Sequence, residues 1–148
     1  MNEAISHPLL HQLYEYWDSK RAGRTMPARH DLDPIEIPEL LRHLILLDIT
    51  HDPLRFRVRL YGTGVTELRG HDLTGRFLYE DGLTPIGQQT RPWNVRTVES
   101  REPHYTVGDY TDISDGRIGT FYRLGLPLSS NDDTVDMLMI GLIRERAR

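Results

Sequence analysis

The chain contains no cysteine. Disulfide frameworks, thiolate nucleophiles and cysteine-held zinc or iron–sulfur centres are therefore excluded. No run approaches the roughly 20 apolar residues that cross a bilayer as a helix. Residues Met1 to Pro8 show neither the basic start nor the apolar stretch of a secretory leader. The expected location is cytoplasmic, without membrane insertion. An excess of positive charge is also missing: 18 Lys and Arg stand against 22 Asp and Glu, a net charge of −4. Nucleic-acid binders usually carry a basic surface, so no nucleic-acid partner is expected.

What is present fits one ordinary α+β domain. The chain has 148 residues, enough for one hydrophobic core. Leu9, Leu10, Leu13, Tyr14 and Trp17 recur at spacings of three and four, which predicts an amphipathic helix over Pro8 to Ala22. Ser6 is the expected cap and Pro8 suits the first turn. Lys20 and Arg21 favour the helix end, and Gly23 stops it. Asp33-Pro34-Ile35-Glu36 reads as a capped short helix running to about Leu41 and interrupted at Pro38. Residues 1–23 are thus assigned to an N-terminal amphipathic helix and 24–148 to a single domain.

Strands follow. His43 to Thr50 is rich in Leu and Ile. Arg55 to Tyr61 alternates, with Phe56, Val58 and Leu60 predicted on one face and Arg55, Arg57 and Arg59 on the other. Val65 and Leu68 suggest a helical turn or two. A helix is expected within Ile86 to Arg101, kinked or begun at Pro92. Pro103 to Tyr110, Ile118 to Leu128 and Val135 to Ile143 complete five strands, with Asp115-Gly116 as a hairpin turn. The last strand is apolar on both faces. One face belongs to the core, and the other needs a helix or a partner chain.

This order matches the PAS fold: a five-stranded antiparallel sheet with helices on one face. Several stretches strengthen the match. They are Tyr16-Trp17 with Arg21, Gly23 and Arg24; Pro27 to Pro34; Ile37 to Leu41; Tyr61-Gly62-Thr63; Gly70 to Gly75; and Tyr122 to Leu128. The chain resembles the stand-alone bacterial proteins sometimes called the fifth PAS family. The resemblance implies the fold, and a sensor or interaction role, more than a defined ligand. It also frames the cofactor question. A light-sensing flavin domain of this fold needs a cysteine, so covalent flavin–cysteine chemistry is excluded. A haem-binding one places a histidine on its long helix, and residues 86–101 contain none. Haem is therefore not expected, His104 just beyond that helix being the one residue left open. A non-covalent flavin or an uncoloured metabolite stays open.

Candidate site residues come from predicted strand facing. Trp93, Tyr105 and Tyr122 are expected to line a cavity between sheet and helices, with Met139 and Arg123. A guanidinium in an apolar strand needs a partner. Asp31 or Asp33 would supply it structurally, or a ligand carboxylate or phosphate functionally. Leu10, Leu13, Tyr14 and Trp17 form a candidate interaction or dimer surface. His30, Asp31 and Asp33 have ligand-type side chains but no metal-site spacing, so no metal site is assigned. His71-Asp72 reads as a turn sooner than as a base, and the three arginines of 55–59 as a solvated face sooner than as an anion site.

No catalytic residue is assigned. The expected function is a non-enzymatic sensory or regulatory PAS domain without its own output domain. It would act in signalling by binding a small molecule, by forming a homodimer, or by contacting a signalling partner. Two other readings stay open. One is a small isomerase-like enzyme with His104 or Asp48 as base. The other is a ligand-free structural adaptor with a filled core.

Overall fold

The computed structural model describes residues 5–69, 72–80, 85–112 and 115–146, the side chains of 67–69 and 85–88 excepted. Helix α1 (Pro8–Arg21) leads into three single 3-10 turns at Arg29–Asp31, Pro34–Glu36 and Leu41–His43. Then come β1 (Leu44–Thr50), β2 (Arg55–Tyr61), α2 (Thr63–Arg69), α3 (Pro85–Ser100), β3 (His104–Thr111), β4 (Ile118–Leu128) and β5 (Met137–Arg146). The strands form one antiparallel sheet in the order β2-β1-β5-β4-β3.

The sequence expectations for β2 and β4 coincide with the observed bounds, and β5 runs further than expected, to Arg146. Three local expectations need correction. The cap of α1 is His7, whose Nδ1 accepts the Leu9 N–H at 3.2 Å, while Ser6 hydrogen-bonds the Tyr105 hydroxyl at 3.0 Å. Asp33 does cap its turn, but the segment to Leu41 is short 3-10 structure, not one helix. Helix α3 begins at Pro85, a favoured first position, and continues through Pro92.

A fourth correction concerns β2. Leu46 pairs with Leu60, yet Leu47 pairs with Val58. Arg59 is therefore an extra residue, a β-bulge that resets the alternation. Leu60, predicted to face inward, is 39% exposed, and Tyr61 turns in at 7%.

Directly opposed residues of antiparallel strands share a face. The register therefore sorts the central strands. Ile45, Leu47, Arg123, Ile140 and Leu142 look inward toward α3. Leu46, Leu124, Leu126, Met139 and Gly141 look outward. The apolar stripe of α1 covers that outer face. A Cβ on Gly141 would lie 2.6 Å from Leu10 Cδ2 and 2.9 Å from Leu13 Cδ2, so the glycine lets helix and strand approach. The Trp17 indole N–H donates to the Pro127 carbonyl at 2.9 Å. Both sides of β5 are thus buried by the chain itself. No helix among the described residues is long and apolar enough to cross a membrane.

Candidate functional site

Strand alternation divides the predicted ligand residues between the two faces of the sheet. Arg123 faces inward, and its guanidinium lies 5.4 Å from the centre of the Trp93 ring. Tyr105, Tyr122 and Met139 face outward. The Tyr122 ring meets the His7 ring edge-on at 4.8 Å, and the Tyr105 hydroxyl accepts the His7 N–H at 3.2 Å. A Glu145 hydrogen bond raises the Tyr122 phenol above its ordinary range. The two tyrosines belong to the seat of α1 and Met139 to the same outer face, none of them to the interior cavity, which corrects the expectation that all five line one pocket.

Leu10, Leu13, Tyr14 and Trp17 are buried, at 9% exposure or less, in the core that includes the outer face of the sheet. The predicted interaction stripe therefore packs within the chain in this conformation.

The inward cluster is polar and connected. Arg123 Nη2 donates to Asn94 Oδ1, Asn94 Nδ2 donates to the Tyr79 hydroxyl at 2.7 Å, and that hydroxyl bonds Thr90 Oγ1 at 2.7 Å. Arg123 is 5% exposed and Asn94 1%. The carboxylates nominated for Arg123 serve elsewhere. Asp31 pairs with Arg24 at 2.7 Å and accepts the Ala28 N–H at 2.8 Å, which together hold its carboxyl below the usual range, the backbone bond most. Asp33 caps its own turn. Sequence reasoning missed Asn94, Tyr79 and Thr90. An uncharged amide one residue after Trp93 on a helix facing an arginine strand was the available signal.

Around this cluster the described residues enclose a cavity of about 30 Å³, lined also by Ile45, Leu47, Tyr61, Ile140 and Leu142. That is room for about one water. A wider cleft of about 490 Å³ opens to solvent at another place. It lies between the β1–β2 turn, the end of α3 and the β4–β5 turn, with Leu54, Val95, Val98 and Val135 as walls and the 2.9 Å Arg101–Asp133 ion pair at its border. None of the predicted site residues lines it.

The remaining candidates are dispersed. Arg55 is held by Glu80 at 2.7 Å and lies 3.6 Å over the Phe77 ring, and Arg59 pairs with Asp48 at 3.0 Å. Two of the three arginines are thus committed to ion pairs. Asp48 is also remote from the other proposed base. His104 contacts Thr97 Oγ1 at 3.2 Å, and burial lowers its pKa, with Arg96 adding to the effect. Asp72 accepts from the Thr74 N–H at 2.8 Å in a tight turn, and Gly75 takes φ +90°. His71 lies outside the described residues. His30 is 82% exposed in its side chain, and no cluster suited to a metal ion occurs among the described residues.

Comparisons accord with this architecture. Among solved structures, the fold is similar to a light-oxygen-voltage domain studied with a flavin analogue, at 14% identity, covering 75% of this chain and 82% of that one, TM-score 0.52. It is similar to the PAS domain of Bordetella pertussis BvgS, at 17% identity, 75% and 84% coverage, TM-score 0.50. A fungal LOV photoreceptor aligns over 96% of this chain and 94% of its own at 16% identity, TM-score 0.50. At these identities the likeness speaks to fold alone. The comparison with curated proteins found no match. The family model described as PAS domain matches residues 5–143, and with the β2-β1-β5-β4-β3 sheet on the page the conclusion is plain: this chain belongs to the PAS-domain family of sensory signalling domains.

Proposed function

We propose that this PAS domain is a signalling module that works through protein contacts, with α1 and the outer sheet face as the responsive element, and that it carries out no chemistry itself. The observation that carries this reading is the small interior. Ligand pockets for drug-sized molecules run to about 300–1,000 Å³, against about 30 Å³ among the described residues around Arg123 and Asn94, while the cleft of about 490 Å³ beside Leu54 and Val98 is open to solvent and lies apart from that cluster. This favours a protein partner over a flavin or a haem. The covalent flavin reaction also lacks its cysteine. Asp48 is held in an ion pair with Arg59, His104 contacts Thr97, and neither lines the interior cavity, which weighs against the isomerase-like reading. Helix α1, by contrast, is a discrete element seated on the sheet by its apolar stripe and a few hydrogen bonds, among them Trp17 to Pro127 and His7 to Tyr105. A partner that binds its undocked or shifted form would change the domain's state, provided its affinity for the two states differs.

A second reading has one observation in its favour. Arg123, buried and hydrogen-bonded to an amide, suits a very small anion. Native mass spectrometry of freshly purified protein, followed by denaturing extraction, separates the two. Bare chain mass supports the partner reading. A mass excess lost on denaturing overturns it and identifies the ligand class.

A further inference from the structure

We propose that the outer edge of β3 pairs with β3 of a second copy of this chain, antiparallel and centred on Val107, joining the two sheets edge to edge. The sheet has two edges and treats them differently. Residues 75–78 cover the β2 edge. Val58 N–H donates to Arg76 at 2.8 Å, Gly75 N–H to Val58 at 2.7 Å and Leu78 N–H to Phe56 at 2.8 Å. At β3, among the described residues, no backbone hydrogen bond arrives from the outer side.

An open edge is a template for another strand, and proteins that avoid pairing blunt it with lysine, proline, a bulge or a very short strand. Strand β3 has none of these. It spans eight residues, His-Tyr-Thr-Val-Gly-Asp-Tyr-Thr, and its register with β4 is unbroken. It also exposes Val107 at 48%.

The register selects the partner. Residues opposed across an antiparallel pair share a face. For two copies of one strand, opposed residue numbers must therefore sum to an even number. Two registers use most of the strand. Centring on Gly108 sets Asp109 against the exposed Val107. Centring on Val107 sets Val107 against its own copy, Asp109 against Tyr105, and Thr106 against Gly108. The sole carboxylate of the strand then meets no like charge, and faces the hydroxyl-bearing Tyr105 instead of the aliphatic Val107. The arrangement is a two-fold, self-complementary interface. An eight-residue edge buries less than the roughly 1,200 Å² typical of stable complexes, so the association is weak and reversible. The inference rests on the reading that the domain acts by association, but a retained ligand would sink that reading and leave β3 pairing untouched.

The test uses the full chain in sedimentation over a concentration series, with two variants that each hold its only cysteine. Across the proposed centre, Val107→Cys places the sulfurs within bonding reach and should give a disulfide dimer in a redox buffer. Asp109→Cys leaves its copy four residues away, about 13 Å along the strand, and should cross-link about tenfold less. Val107→Lys should abolish concentration-dependent dimers without changing the thermal melt. A wild-type chain monomeric at every concentration, equal cross-linking of the two cysteines, or a dimer that survives Val107→Lys would each overturn the proposal.

Discussion

The two faces of the sheet are buried by different kinds of contact. On the outer face, Leu10 and Leu13 of α1 sit against Gly141, within one apolar cluster that holds Trp17, Met139, Leu124 and Leu126, and few polar bonds join in, among them Trp17 to Pro127 and His7 to Tyr105. On the inner face, apolar side chains surround the chain of bonds from Arg123 through Asn94 and Tyr79 to Thr90. Apolar burial is roughly proportional to area and tolerant of direction. A buried polar network depends on every member being satisfied. The outer contact therefore sets how firmly α1 is held, and the inner network fixes the position of α3 against β4.

Substitutions should separate these roles. The largest effect is expected from Leu13→Ala, which opens a cavity under α1 and should cost about 2–5 kcal/mol in urea unfolding. A loss below about 1 kcal/mol would mean the helix is barely docked. Next comes Asn94→Ala, which removes the Nη2 acceptor of Arg123 and should cost about 1–3 kcal/mol by the same assay. Asn94→Asp should recover part of it by restoring an acceptor, and failure to do so would remove the amide from the network. Trp17→Phe keeps most of the apolar body but loses the bond to Pro127, for about 1 kcal/mol.

The smallest effect tests a region outside both faces. The carboxyl of Asp31 titrates below its unfolded value. Its contribution is therefore present above about pH 4 and fades as pH falls through the lower folded value. Asp31→Asn should lower stability at pH 7, and the difference from the wild type should shrink as pH is lowered into the acid range. A difference constant over that range would deny the Arg24 and Ala28 contacts their role.

The element order was readable because periods of two and of three to four are visible in the chain. Arg55 to Tyr61 and Ile118 to Leu128 show how well that signal bounds a strand. The bulge at Arg59 was not readable, since an inserted residue leaves no mark on composition. The grouping of the site failed for a reason the sequence did contain. Tyr122 and Arg123 are neighbours on one strand, and neighbours on a strand point to opposite faces, so they could not share a pocket. Asn94 escaped notice because an amide on a helix is ordinary until an arginine is known to lie opposite. The second face of β5 was left open in the sequence to a helix or a partner chain, and the structure covers it with α1. The available alternative, a partner chain, differs from it only in connectivity.

The placement of the two tryptophans has a practical consequence. Trp17 is buried under α1 on one side of the sheet, and Trp93 stands with Arg123 and Phe121 on the other. The chain has no third. Replacing either one leaves a single intrinsic fluorophore assigned to one layer. The emission wavelength then reports whether that layer alone has been wetted, without any label and in the presence of any partner that itself lacks tryptophan.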